Sequence, residues 1–259
     1  MESVYNFSTT EILAFSLVLL RMIAFVVAMP VIGTVNVPTS TKILFALLMA
    51  FVLFPQVGWK KLSIDLESLE IINAGIKEVF VGLTFGFLAR MFFMTVTMAG
   101  QIMSVSMGIS SAQLFNPAMG ETSSSMDQFF FALATLFFLA INGHHILITG
   151  IYDTFQIIPL DRIAINLRGF QDFGPLVQLM MSIAVKVSAP ILVTVLFMNV
   201  AMALMGRAVP QINILVTSLP VNVLVGFFVL FATLPILVWQ MSDLINITAT
   251  ELFRFIKSY

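Results

Sequence analysis

Few residues in this chain have the means to do chemistry, and their spacing favours none of the usual kinds. His144 and His145 are the only histidines, and there is no cysteine. Adjacent positions on a helix point about 100° apart, whereas a shared metal wants ligands at i and i+4. The nearest carboxylate in sequence, Asp153, is eight residues beyond His145. The pair therefore reads as histidines at a helix end with satisfied hydrogen bonds, and no metal or cofactor is expected. Acids occur singly, without a nucleophile elbow, phosphate loop, dinucleotide fingerprint or HExxH motif. With so few ionisable groups, the chain does not read as an enzyme.

Five further charges sit inside or beside apolar runs: Lys77, Glu78, Arg90, Lys186 and Arg207. Each costs about 2.5–3.5 kcal/mol at the centre of a membrane helix. Such side chains usually face protein or water. Their spacing suggests no pairing among them. The composition agrees with a membrane setting. Hydrophobic residues make up 59% and charged residues 10%, against about 45–50% and about 25% in soluble domains. Mean hydropathy is +1.05. Twelve Lys and Arg against 13 Asp and Glu cannot cover a soluble domain of 259 residues, and a net charge of −1 offers nothing to a phosphate backbone. Disorder is excluded by the same hydrophobicity. The chain reads as an all-α membrane-associated protein.

Helices long enough to cross a bilayer need about 20 apolar residues. Charge-free or nearly charge-free runs occur at Arg21–Lys42 (broken by Pro30 and Pro38), Ile43–Phe54, Asn73–Phe93, Gln128–Tyr152, Val187–Gly206 and Ala208–Ser242. The last is too long for one span, and Pro210, Pro220 and Pro235 are expected to interrupt it. Five or six spans follow. The first residues carry two acids and no base, unlike a signal peptide. Ile12–Met29 is thus expected as a retained helix, capped by Ser8, Thr9 or Thr10. Lys60, Lys61, Arg162, Arg168 and Arg254 are too scattered to fix an orientation.

Two segments stand out. Gly82 and Gly86 form a GxxxG which, with Gly75, allows another helix to approach closely. Ser104–Asp127 is a polar insert between apolar helices, with Met103, Met107, Met119 and Met126 around it. Asn116-Pro117 and the glycines end any helix there. Irregular backbone at membrane depth must line a cavity or be covered by protein. An apolar constriction that excludes water is one use for it; a re-entrant or surface loop is the other.

Four ordered blocks resemble the FliR/SctT family of type III export-gate components. They are Arg21–Phe25 through Met29-Pro30 and Gly33 to Pro38 and Lys42; Lys77-Glu78 through Gly82 and Gly86 to Arg90; Asn142–His145; and Gly206-Arg207 through Pro210-Gln211 and Asn213 to Pro220. The flagellar branch is the better match. The resemblance implies helical hairpins in a FliP-like part, residues 1–175, fused to a FliQ-like hairpin, 176–259, turning at about 206–213. It implies a pore plug within about 104–127, assigned to Met107, Gln113, Leu114, Phe115, Asn116, Pro117 and Met119. Gly82 and Gly86 become packing positions, and Arg207, Pro210, Gln211 and Asn213 a turn that touches FlhB.

What the resemblance implies for function is a channel subunit in the bacterial inner membrane, within the flagellar basal body. It would pass unfolded flagellar proteins in one hetero-oligomeric complex with FliP and FliQ, beside FlhA and FlhB and in contact with lipid. Energy would come from elsewhere in the machine. The rival classes are a small-molecule or ion transporter, which should show internal repeats and paired midplane charges, and a non-conducting scaffold.

Overall fold

The computed structural model describes residues 8–58, 70–110, 125–160, 173–209, 211 and 213–258. Among them the chain is helix and connection, with no strand. In order they are α1 (Thr9–Ala28), α2 (Thr39–Leu53), α3 (Glu70–Met107), α4 (Ser125–Ala140), α5 (Gly143–Ile157), α6 (Phe173–Ala208) and α7 (Ile214–Ser258). Short 3₁₀ turns at Val31–Gly33 and Phe54–Gln56 follow α1 and α2.

Local chemistry explains most of the helix ends. Ser8 caps α1, its hydroxyl accepting the Glu11 N–H at 3.1 Å. Met29 still donates to the Phe25 carbonyl at 2.7 Å, and Pro30, with no N–H to give, ends the helix. Lys42 turns back and donates to the Gly33 carbonyl at 3.2 Å, tying α2 to the turn before it. Helix α3 finishes in a Schellman cap. Gly108 takes φ 78°, Gly108 N–H reaches the Val105 carbonyl, and Ile109 N–H reaches that of Ser104. The helix thus runs to Met107, into the stretch read as insert, and α4 resumes at Ser125.

Two expectations about breaks need correcting. Pro220 and Pro235 lie inside α7, a single helix of 45 residues. In apolar surroundings a proline forfeits one backbone bond, whereas a full break would orphan several, so the helix continues through both. Conversely, the charge-free run Gln128–Tyr152 is not one helix. It breaks at Asn142, which adopts the left-handed conformation at φ 58°; a short polar side chain tolerates this better than an apolar one.

Among the described residues five helices are long and apolar enough to cross a membrane, or six if α4 with α5 forms one broken span. That agrees with the number expected from charge spacing. The chain forms two compact units. The first comprises Met1–Met91, Asn142–Phe173 and Ile247–Tyr259. Its core is Leu17, Val18, Met22 and Phe25 of α1, Val81 and Phe85 of α3, and Leu147, Ile151 and Phe155 of α5. The second comprises Phe92–Ile141 and Gly174–Asn246. There Phe93 meets Phe131 and Phe138 at 5.7 and 5.4 Å between ring centres.

The outward faces are apolar. Only 17% of the spanning window of α2 is buried, and 22% of those of α6 and α7, against 67% for α3. Ile43, Leu47 and Phe51 of α2 and Leu224, Phe228 and Phe231 of α7 are exposed. Surfaces of this kind belong against lipid or other membrane chains. This is an all-α membrane protein.

Candidate functional site

The first unit closes around three charges that no spacing pattern joins. Arg21 of α1 and Glu78 of α3 are fully buried, and Lys77 is 1% exposed. The Arg21 Nε donates to Glu78 Oε2, and Lys77 Nζ lies 2.9 Å from Glu78 Oε1. The latter pair is ionic without an aligned hydrogen bond, since Oε1 accepts none. Arg21 also donates from Nη1 to the Thr154 hydroxyl at 3.0 Å and from Nη2 to the Ile158 carbonyl at 2.9 Å. Lys77 donates to the carbonyls of Pro159 and Leu160 at 3.1 and 3.2 Å. The Arg21 guanidinium lies 4.0 Å over the Phe155 ring, a favourable cation–π contact.

Among the described residues the two cations share one carboxylate, that of Glu78. Backbone carbonyls add to it. Helix α5 ends at Ile157 with Ile158 as its cap, and the last carbonyls of a helix carry its negative pole. Arg21 donates to the carbonyl of the cap residue, Ile158, and Lys77 to the two that follow it. The expectation that these charges are unpaired is therefore wrong for Lys77 and Glu78. Their missing partner, Arg21, is 57 residues from Glu78 in sequence. Arg90, Lys186 and Arg207 behave differently and are exposed on the chain.

The glycines of α3 explain how Arg21 and Glu78 come so close. A Cβ added to Gly82 would collide with the Arg21 carbonyl and lie 2.9 Å from Ala24 Cβ. At Gly86 it would lie 2.6 Å from Ala28 Cβ and 2.8 Å from the Phe25 carbonyl. Gly75 leaves room, with Leu20 Cδ1 at 3.6 Å. Glu78, Gly82 and Gly86 follow one another at i, i+4 and i+8, hence on one face. The bare backbone of that face lets α1 approach, and Glu78 waits one turn away.

Of the residues assigned to the plug, Gln113, Leu114, Phe115, Asn116, Pro117 and Met119 lie outside the described residues. Met107 does not. It is fully buried and packs flat on α7, where a Cβ at Gly226 would meet its Cγ and Cε at 2.5 Å. Both ends of the insert are fastened to the last turns of α3. The Ser104 and Ser110 hydroxyls lie 2.8 Å apart. On the far side Gln101 donates to Asp127 Oδ2 at 3.2 Å, and Phe130 presses on Gly100, where a Cβ would lie 2.7 Å away.

The polar turn joins α6 to α7. Gly206 leaves room for the Ile214 side chain, which a Cβ there would displace. Asn213 opens α7, its Oδ1 accepting the Val216 N–H at 3.4 Å. Arg207, Gln211 and Asn213 are exposed, and Pro210 lies outside the described residues. His144 and His145 stand in the first turn of α5, with ring centres 4.3 Å apart. The helix-end position agrees with the sequence, but full hydrogen bonding does not. The His144 Nδ1 is buried without a partner, and Asn142, left-handed at the helix start, makes no side-chain cap. Among the described residues no three His, Cys, Asp or Glu side chains gather as a metal site would require.

Comparison with known proteins draws on almost the whole length. Residues 12–247 match the family described as bacterial export proteins, family 1. The flagellar biosynthetic protein FliR of Bacillus subtilis (strain 168) is 33% identical over 239 residues, covering 91% of each chain. FliR of Caulobacter vibrioides is 32% identical over 220 residues, 85% of this chain and 87% of its own. FliR of Escherichia coli (strain K12) is 26% identical over 219 residues, 85% of this chain and 83% of its own.

Proposed function

The chain belongs to family 1 of the bacterial export proteins, and on that premise we propose that it is a channel-forming core subunit of the flagellar export gate. In this reading it sits in the bacterial inner membrane within the basal body. It passes unfolded flagellar proteins without catalysing a reaction. It works in a complex with FliP and FliQ, next to FlhA and FlhB. The observation that carries the reading is the end-to-end likeness to proteins named flagellar biosynthetic protein FliR. Unpartnered apolar faces on α2, α6 and α7 support a place inside a larger assembly. The insert supports the plug, because a stretch anchored at both ends to one helix can yield in the middle without losing its place. Met107, buried at the root of that stretch, then serves to hold it.

A transporter reading would need an accessible polar path through the membrane. The Arg21–Glu78–Lys77 cluster is sealed at 0–1% exposure, which does not favour that reading. Mass determination of the complex isolated through a tag on this chain tests the proposal. FliP and FliQ should co-purify with it; a stable monomer active in small-solute uptake would overturn the reading.

A further inference from the structure

The hairpin of α6 and α7 carries two buried stripes that mirror each other. On α6, Val195, Ile191, Ala184 and Met180 are buried 4, 8, 15 and 19 residues before Asn199. On α7, Gly226, Leu230, Leu237 and Met241 are buried 4, 8, 15 and 19 residues after Asn222. These steps keep to one face of a helix. The point of reflection is a hydrogen bond, Asn222 Nδ2 donating to Asn199 Oδ1 at 2.8 Å. Asn222 is 6% exposed, and among the described residues its Oδ1 accepts nothing. The one bond to Asn199 is what holds that carboxamide.

Apolar stripes with so regular a step do not fix their own alignment. A slip of one turn would set Asn222 against Val195 and Gly226 against Ile191, and the other mirrored positions would still be apolar. Ser188 and Thr233 fall on the same two faces, but their hydroxyls donate to the carbonyls of Val185 and Val229 in their own helices, at 3.0 and 2.8 Å. They impose nothing on the neighbour. The turn fixes one end, where Gly206 admits the Ile214 side chain. Between that end and Asn222 stands Pro220, which cannot donate to the carbonyl four residues back and so loosens the rotation inherited from the turn. The carboxamide pair does not survive a slip, because Asn222 would then lie among apolar side chains without a partner. Polar pairs in apolar helix seams set register in this way, at some cost in stability.

Met107 shows what depends on the alignment. It is fully buried and rests on the bare backbone of Gly226, one turn beyond Asn222, where a Cβ would lie 2.5 Å from its Cγ and Cε. Successive residues of a helix point about 100° apart, so a rotated α7 would present Val225 or Phe227 instead. We infer that Asn199 and Asn222 are positioning residues: their hydrogen bond sets the register and rotation of α7 beyond Pro220, and through Gly226 it seats Met107 at the end of α3. The inference concerns the hairpin itself, and the export-gate reading neither supports it nor depends on it.

The test uses the full chain in its native membranes. Because the chain has no cysteine, Met107→Cys introduces a unique thiol, and alkylation by N-ethylmaleimide reports whether its seat is closed. With both asparagines present the thiol should be protected. Asn199→Leu with Asn222→Leu leaves no polar group unsatisfied, a change that is nearly neutral for stability. That variant should accumulate normally while its thiol reacts about tenfold faster. Asn199→Gln keeps a carboxamide at an exposed position and should retain the protection. A thiol equally protected in the double-leucine variant would mean that stripes and turn align the hairpin alone, and would overturn the inference. Equal labelling of Asn199→Gln and the double variant would do the same, since shape rather than the hydrogen bond would then decide. Loss of the double variant from the membrane would also sink it, because an alignment device predicts a stable hairpin that is misaligned. A thiol already open with both asparagines present would remove the seat, and the inference with it.

Discussion

At the scale of single residues, the sign of the charge decides what each substitution in the buried cluster does. Glu78→Gln takes away the carboxylate that Arg21 and Lys77 share in a buried place. Breaking a buried pair in this way costs about 3–5 kcal/mol. Lys77→Met keeps the Arg21–Glu78 pair, and the carbonyls of Pro159 and Leu160 lose a donor, at about 1–3 kcal/mol. Glu78→Gln should therefore be clearly the more damaging, and adding Lys77→Met to it should recover part of the loss. Protease resistance and thermal unfolding of the detergent-solubilised complex would check the order. Equal losses from both single variants would mean that shape, not charge balance, holds the cluster.

At the scale of helices, the same region shows what the sequence makes legible and what it hides. Local signals were readable. Ser8 as a cap and Met29-Pro30 as an end need only nearest neighbours, and both stand where the residue types place them. Pairing across helices was not. Lys77 and Glu78 look like isolated liabilities until packing brings Arg21 to them, and no periodicity encodes a separation of 57 residues. The prolines of α7 misled for a related reason, since the cost of a broken helix depends on the surrounding medium. Gly82 and Gly86 are recognisable as small positions, but that α1 lies against them comes only from the fold. Their prediction follows. Gly86→Leu should separate α1 from α3, loosen the Arg21–Glu78 pair with them and reduce the yield of assembled complex several-fold, whereas Gly75→Ala, where Leu20 is 3.6 Å away, should be tolerated. Quantifying complex per unit of membrane-inserted chain separates the two. The polar turn between α6 and α7 gives a second prediction at this scale. A cross-linker at exposed Gln211 should capture FlhB in the intact apparatus; capture of lipid or FliP alone would reduce the turn to a hairpin closure.

At the scale of the whole molecule, the question is how the proposed channel would stay shut between substrates. The proposed plug, Gln113–Met119, combines Leu114, Phe115 and Met119 with the helix-breaking Asn116-Pro117. Apolar side chains in a narrow path exclude ions by keeping water out, and a broken backbone lets them move aside when an unfolded chain enters. Burying one phenylalanine contributes about 1.5–3 kcal/mol, which biases closed over open by roughly tenfold to a hundredfold. That is enough to limit leak and little enough for the machine to overcome. The fastenings lie outside the plug itself. The Gly108 cap, the Ser104–Ser110 contact, Met107 on Gly226 and the Gln101–Asp127 bond would all survive a deletion in the middle. Deleting Leu114–Pro117, or Phe115→Ala, should thus leave assembly intact and raise conductance to small ions, measured in reconstituted complexes or as depolarisation of intact cells. Phe115→Ala should leak less than the deletion, since Leu114 and Met119 remain. A fully assembled deletion variant with unchanged conductance would place the seal in another subunit and leave this insert as a guide for the passing chain.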